Sequence, residues 1–205
     1  MKLYYSPGAC SQAAHILLHE TGLPHSSEAV DLRAKRTASG GDYWAINPKG
    51  AVPALEIGDD VLTENGAVLQ YIGDKSGHET LLPGSGMERY RVLEWLAYLG
   101  SDVHKSYGAL WNPAASDEAK QAARDTVGKK FDFLEQSLEG QDYLAGPSMT
   151  VADPYLFAML GWSGMHGIDL GKWPNLAGLR GRMEQRESVR AVMQAEGLAE
   201  KADAS

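Results

Sequence analysis

The sequence predicts two unlike halves: a small α/β sheet domain over residues 1–80 and an all-helical domain over residues 87–205. Three observations carry this. Short β-prone runs alternate with helical patterns in the first eighty residues. A Pro/Gly/Ser stretch, Leu81-Leu-Pro-Gly-Ser-Gly86, then interrupts the chain as a linker over 81–86. Beyond it, apolar residues recur at spacings of three and four and no convincing strand follows. At 205 residues the chain can bury about 70% of its unfolded surface, so its core needs no disulfide or metal.

In the first half, Lys2 to Tyr5 is a β-prone run stopped by Ser6-Pro7-Gly8. Ser11 is placed to cap a helix whose apolar face is Ala14, Ile16, Leu17 and Leu18, with Gly22 and Pro24 ending it. Ser27 to Leu32 reads as a second strand, and Asp42 to Ile46 as a short helix in an otherwise polar stretch. Ala54 to Ile57 and Val61 to Thr63 flank the turn Gly58-Asp59-Asp60 as a hairpin. Asn65 opens a helix with Val68, Leu69 and Ile72 on its apolar face, closed at Gly77. In the second half, Met87 to Trp111 reads as one long helix. Ser116 to Leu138 is a second, with Gly140 as its stop, and the apolar run Val151 to Trp162 is a third, central one. Residues 176–196 supply one or two more, and 199–205 read as a frayed tail.

Composition removes several function classes. A net charge of -8 argues against nucleic-acid or anionic-membrane binding, which need a basic footprint. No run of about 18 apolar residues is present to span a membrane. No Cys/His cluster shows zinc spacing, so no metal is expected. One cysteine cannot form an internal disulfide, and the expected location is cytoplasmic.

That cysteine, Cys10, is the sharpest chemical signal. It follows a turn and precedes a helix, where free N–H groups and the helix dipole lower a thiol pKa from about 8.5 towards 7. Two readings stand: a poised thiol, or a small buried residue. Ala13 occupies the place of a second cysteine, which excludes a dithiol shuttle. Val52-Pro53 at a strand entry is either an ordinary trans bond or a cis bond that frees the Val52 backbone to pair with an extended peptide. Glu64-Asn65 at a helix start is either an anion and ammonium site or simple capping by Asn65. His104 is either a titrating group near a thiolate or a surface histidine. Thr150-Val-Ala-Asp153 has the form of a capping box, a structural role. His15, His19, His25, His78 and His166 have no partner that the sequence names.

Lys2-Leu-Tyr-Tyr-Ser-Pro-Gly-Ala-Cys-Ser11, Asn47-Pro-Lys-Gly-Ala-Val-Pro-Ala-Leu55, Leu62-Thr-Glu-Asn65, His104-Lys105 and Thr150-Val-Ala-Asp153 occur in order along nearly the whole chain. Together they resemble the cytosolic glutathione transferase family, in its bacterial beta class. The resemblance implies a thioredoxin-like N-terminal domain, an all-α C-terminal domain and a homodimer that binds glutathione as co-substrate. It implies Cys10 beside the glutathione sulfur, a cis Pro53 with the Val52 backbone on the cysteinyl part, and Glu64 and Asn65 on the γ-glutamyl end. Lys35 would meet the glycine carboxylate. Ser101, His104 and Lys105 would approach from the helical domain, some across the dimer, with Tyr5 and Ser11 as nearby hydroxyls. Ala97 stands where the family often carries Asn, which removes one interfacial contact.

The activity so implied is conjugation of the glutathione thiolate to a small hydrophobic electrophile, with Cys10 and His104 as the catalytic pair. Cys10 could also form a mixed disulfide with glutathione, giving thiol-disulfide or peroxidase activity. The alternatives are a non-catalytic glutathione- or ligand-binding protein and a pathway-specific glutathione-dependent dehalogenase. Trp111 and Met165 are either electrophile-pocket or core residues.

Overall fold

A computed structural model describes residues 1–199; the tail expected over 199–205 lies, from residue 200 on, outside the described residues. The first half is a five-stranded mixed sheet in the order β3-β2-β1-β4-β5. β1 (Lys2–Tyr5) runs parallel to β2 (Ser26–Asp31) after the crossover helix α1 (Gln12–Thr21). β3 (Arg36–Thr37) edges the sheet before the short α2 (Tyr43–Ile46). β4 (Ala54–Ile57) and β5 (Asp60–Thr63) form the expected hairpin, β4 antiparallel to β1, and lead into α3 (Asn65–Ser76). This is the thioredoxin-like arrangement. Its short strands bury Leu3, Tyr4 and Leu55 on the pleated faces while α1 buries Ala13 through Leu18.

The second half is helical: α4 (Gly86–Tyr98), a π-turn at Leu99–Val103, α5 (His104–Ser106), α6 (Gly108–Trp111), α7 (Asp117–Ser137), α8 (Asp153–Met165), α9 (Pro174–Glu184) and α10 (Glu187–Ala195). The single helix expected over 87–111 is therefore broken. Tyr107 explains the break. Its ring is fully buried, and its hydroxyl donates to the Met159 carbonyl at 3.0 Å and meets Ser163 Oγ at 3.1 Å. Satisfying that hydroxyl inside the core turns the chain at Tyr107, and the π-turn absorbs the register change before it.

α8 is apolar on nearly every side and sits at the centre, as its sequence demands. The fully buried Asp153 starts it. Its carboxylate accepts from Thr150 N (2.7 Å), Thr150 Oγ1 (2.9 Å) and Leu144 N (2.9 Å). This is the reach-back half of a capping box, extended to a second loop. Burial pushes the Asp153 carboxyl up to about 6, against the pull of these donors.

One apolar core runs through both halves. α1 packs on α3, α8 and α10, and Leu81 and Leu82 in the connection are buried in the same core. Gly73 makes this close approach possible, since a Cβ there would lie 2.9 Å from Leu82 Cβ and 3.0 Å from Val151 Cγ1.

Candidate active site

A cleft of about 350 Å³ opens between the halves. The turn before α1 brings Cys10, the loop before β4 brings Asn47 and Ala51 to Pro53, and the start of α3 brings Glu64 to Gly66. The helical half contributes Leu96, Ala97, Gly100, His104 and Tyr155. Thus Cys10, Val52, Pro53, Glu64, Asn65 and His104, far apart in the sequence, share one cavity.

Cys10 lines this cleft, half-buried, and its Sγ donates to the Val52 carbonyl at 3.3 Å. The expected lowered pKa is not what this geometry produces. Burial pushes the thiol up to about 12, and the backbone N–H groups of Cys10 and Ser11, which pull it down, are outweighed. The Glu64 carboxylate adds to the rise. Ligand-free protein is accordingly expected to show no thiolate absorbance at 240 nm between pH 7 and 9. A titration midpoint at or below the free-cysteine value of about 8.5 would contradict the role of burial.

Tertiary bonds hold the loop that presents Val52. Asn47 is buried; its Nδ2 donates to the Ala51 carbonyl at 2.7 Å, and the Tyr43 hydroxyl donates to the same oxygen at 2.8 Å. Gly50 has φ 62, and a Cβ there would lie 2.7 Å from the Trp44 ring, so a larger residue would strain the backbone and push that ring aside. The Val52–Pro53 peptide is cis. The Val52 amide donates to nothing among the described residues.

Capping by Asn65 does not occur. Glu64 is the residue before α3, with φ 72 and ψ 121, a region that non-glycine residues enter at a cost of about 1–3 kcal/mol. Its carboxylate, exposed at the cleft edge, pairs with Lys49 Nζ at 2.7 Å. Asn65 instead turns its Nδ2 to the Cys10 carbonyl at 3.1 Å, tying α3 to the cysteine turn. Its Oδ1 is buried in the cleft wall without a hydrogen bond among the described residues. Two α3 N–H groups without a partner among the described residues, an exposed carboxylate at the cleft edge and an amide oxygen left open make this corner suited to a zwitterionic amino-acid end.

His104 closes the opposite wall. Its Nδ1 lies 2.8 Å from the Tyr155 hydroxyl and its ring meets Trp162 edge-on at 5.0 Å. Burial holds the imidazole below its ordinary pKa and the phenol of Tyr155 above the usual phenol range, so both are neutral at pH 7. A neutral Tyr155 can donate to Nδ1, which leaves Nε2 bearing a proton. Because His104 is lowered in the folded state, the unfolded chain takes up a proton first as pH falls through about 6.5, and stability falls with it. His104→Gln should therefore show a smaller loss of Tm between pH 7.5 and 5.5 than the parent chain, by thermal melts; an equal loss would contradict the buried neutral imidazole.

Other expected residues lie outside the cleft lining. Tyr5 is packed in the core against His15, its ring 4.7 Å away. Ser11 does not cap α1; it is fully buried, and its Oγ accepts from Ser6 N at 3.1 Å, bracing the turn that carries Cys10. Lys35 donates from Nζ to the Gly50 carbonyl at 2.6 Å and steadies the Val52 loop from behind. Ser101 and Lys105 are exposed, and Ser101 donates to Asp102 Oδ2. Ala97 does line the cleft, where its methyl offers no hydrogen bond. Trp111 and Met165 are not core; both are largely exposed, and Trp111 stacks edge-on against Trp162 and His166. Tyr155 went unread in the sequence because a lone hydroxyl in an apolar helix carries no spacing signal.

The N-terminal domain of the glutathione S-transferase family matches residues 1–74, and its C-terminal domain matches residues 93–187. The glutathione S-transferase GstA of Escherichia coli O157:H7 is 39% identical over 200 residues, 97% of this chain and 100% of its own. A sphingomonad glutathione S-transferase solved in complex with glutathione is 45% identical, with a TM-score of 0.93 over 97% of this chain and 100% of its own. A bacterial beta class glutathione S-transferase of Sphingomonas chungbukensis matches with the same identity, TM-score and coverage.

Proposed function

The chain belongs to the glutathione S-transferase family, among its bacterial beta-class members, and we propose that its cleft binds glutathione and conjugates it to small hydrophobic electrophiles. The observation that carries this is the meeting of Cys10, the cis Val52–Pro53 turn and the α3 N-terminus in one cavity. The Val52 backbone pairs with the cysteinyl part of glutathione. Glu64 accepts from its ammonium, and the α3 N–H groups with Asn65 hold its carboxylate. Lys35, whose Nζ is held by the Gly50 carbonyl in the loop before β4, remains the candidate for the glycine carboxylate.

The glutathione sulfur then lies at Cys10. With its pKa at about 12, Cys10 acts as an S–H donor to the glutathione thiolate rather than as a thiolate itself. His104 Nε2–H is the second donor. The thiolate attacks an electrophilic carbon: a C–S bond forms, the bond to the leaving group breaks, and the leaving group departs with the electron pair. The glutathione proton goes to solvent. His104 in the cleft wall packs edge-on against the buried Trp162, which in turn backs the half-exposed Trp111, so His104 and Trp111 are the aromatic side chains open to a co-substrate. Disulfide exchange through Cys10 is the minor mode, because its attack requires a thiolate that burial disfavours.

The proposal extends to a cytoplasmic homodimer. Met87, Tyr90 and Phe133 are half or more exposed, which supports a second copy as cover, and a partner would bring exposed Ser101 and Lys105 to a neighbouring cleft.

The test is steady-state conjugation of an activated aryl chloride at varied glutathione. Saturation in both substrates with chloride release is expected. Retention on immobilised glutathione without turnover of any electrophile in a panel would establish the ligand-binding alternative instead. Turnover confined to a haloalkane would establish the dehalogenase.

A further inference from the structure

Three histidines that the cleft does not use lie together on the sheet half. His15 and His19 are one turn apart on α1, and the turn through Gly22 and Pro24 brings His25 back beside them. One ring nitrogen of each lies within 4.8 Å of the other two. The rings follow one another, His15 to His19 at 5.3 Å and His19 to His25 at 5.1 Å between centroids. His15 forms the closed floor at 1% exposure, His25 is half-buried and His19 is open to solvent.

A second observation points to a ligand. The Nδ1 of His15 is 2.9 Å from Glu196 Oε1, and the other oxygen of that buried carboxylate accepts from Gly8 N at 2.8 Å. The Nδ1 of His25 is 2.8 Å from the Leu23 carbonyl. A carboxylate and a backbone carbonyl are the partners that orient metal-bound imidazoles, fixing the proton on one nitrogen and the lone pair on the other. With Nδ1 so engaged in both rings, Nε2 is left as the donor of an electron pair.

We propose that His15, His19 and His25 bind one divalent first-row transition-metal ion of the Zn²⁺ type, with water in the fourth position. Each imidazole gives a lone pair to the ion and displaces a water from it, so binding involves no redox step. Nitrogens on a tetrahedral ion lie roughly 3.4 Å apart, and the exposed His19 side chain can rotate to close the gap. Spacing alone excluded zinc because the third ligand comes from beyond the helix. The ion would tie α1 to the entry of β2. Arg182 and Arg186 line the groove next to His19, and Arg186 is already paired with Glu20.

The test uses tag-free, chelator-stripped full-length protein carrying Cys10→Ala, so that the thiol contributes no ligand. Zn²⁺ is titrated by calorimetry, and Co²⁺ by visible absorption. One saturable equivalent per chain and a tetrahedral Co²⁺ spectrum are expected. His19→Ala and His25→Gln, chosen because neither side chain is fully buried, should each weaken Zn²⁺ affinity about tenfold or more and abolish that spectrum. Circular dichroism checks that both variants are folded. No saturable binding in the Cys10→Ala protein, or affinity unchanged in both histidine variants, overturns the proposal.

Discussion

Cys10→Ala should lower kcat/KM for conjugation about 10- to 100-fold, while Cys10→Ser keeps it within a few-fold of the parent. One hydrogen bond to a charged sulfur is worth about 1.5–3 kcal/mol, and each 1.4 kcal/mol is a factor of ten. Serine retains a donor at the same place; alanine does not. The thiol pKa of bound glutathione, followed by thiolate absorbance at 240 nm, should rise by about one to two units in Cys10→Ala and little in Cys10→Ser. The same pair of variants separates the two uses of the cysteine. As a nucleophile in disulfide exchange, Cys10 would be replaced by neither residue, so both variants would be equally inactive. Equal impairment of conjugation in the two variants would therefore sink the donor role.

Asp153→Ala should cost about 3–5 kcal/mol of folding stability. The carboxylate serves three donors, two of them backbone N–H groups, at a site without water access. Alanine leaves all three buried and unpaired, and it releases the two loop segments that the carboxylate holds against the start of the central helix. For a chain of this size the corresponding drop in Tm is about 10 °C or more. Chemical denaturation of the two proteins measures it. A loss under about 1 kcal/mol would mean that water or a neighbouring group replaces the carboxylate.

Sequence patterning carried the architecture because each element announces its own period and stop. The hairpin at Gly58-Asp59-Asp60, α3 from Asn65 to its stop at Gly77, and the apolar α8 all fall within a residue or three of where their patterns place them. The break at Tyr107 was not legible. A helical period through 87–111 is intact in the sequence, and the reason to interrupt it is a hydroxyl satisfied by Met159 and Ser163 some fifty residues later. The site divides in the same way. Cys10, Pro53, Glu64 and His104 stand out by residue type and position. The state of Cys10 does not, because the balance between helix N–H groups and burial depends on what covers the sulfur. Ser11 and Asn65 have cap-forming side chains, yet Ser11 spends its hydroxyl within its own turn, on Ser6, and Asn65 its amide across the fold, on the Cys10 carbonyl.

The indole of Trp162 donates from Nε1 to the Gly8 carbonyl at 2.8 Å, and its ring edge rests on His104. One rigid side chain thus spans the turn that sets Cys10 and the wall that faces the co-substrate. Any tilt that one subsite imposed on that indole would act on the other, and such linkage is reciprocal by thermodynamic necessity. A fluorescence change on filling either compartment that is lost in Trp162→Phe is the expected sign of that linkage, the chain holding five tryptophans.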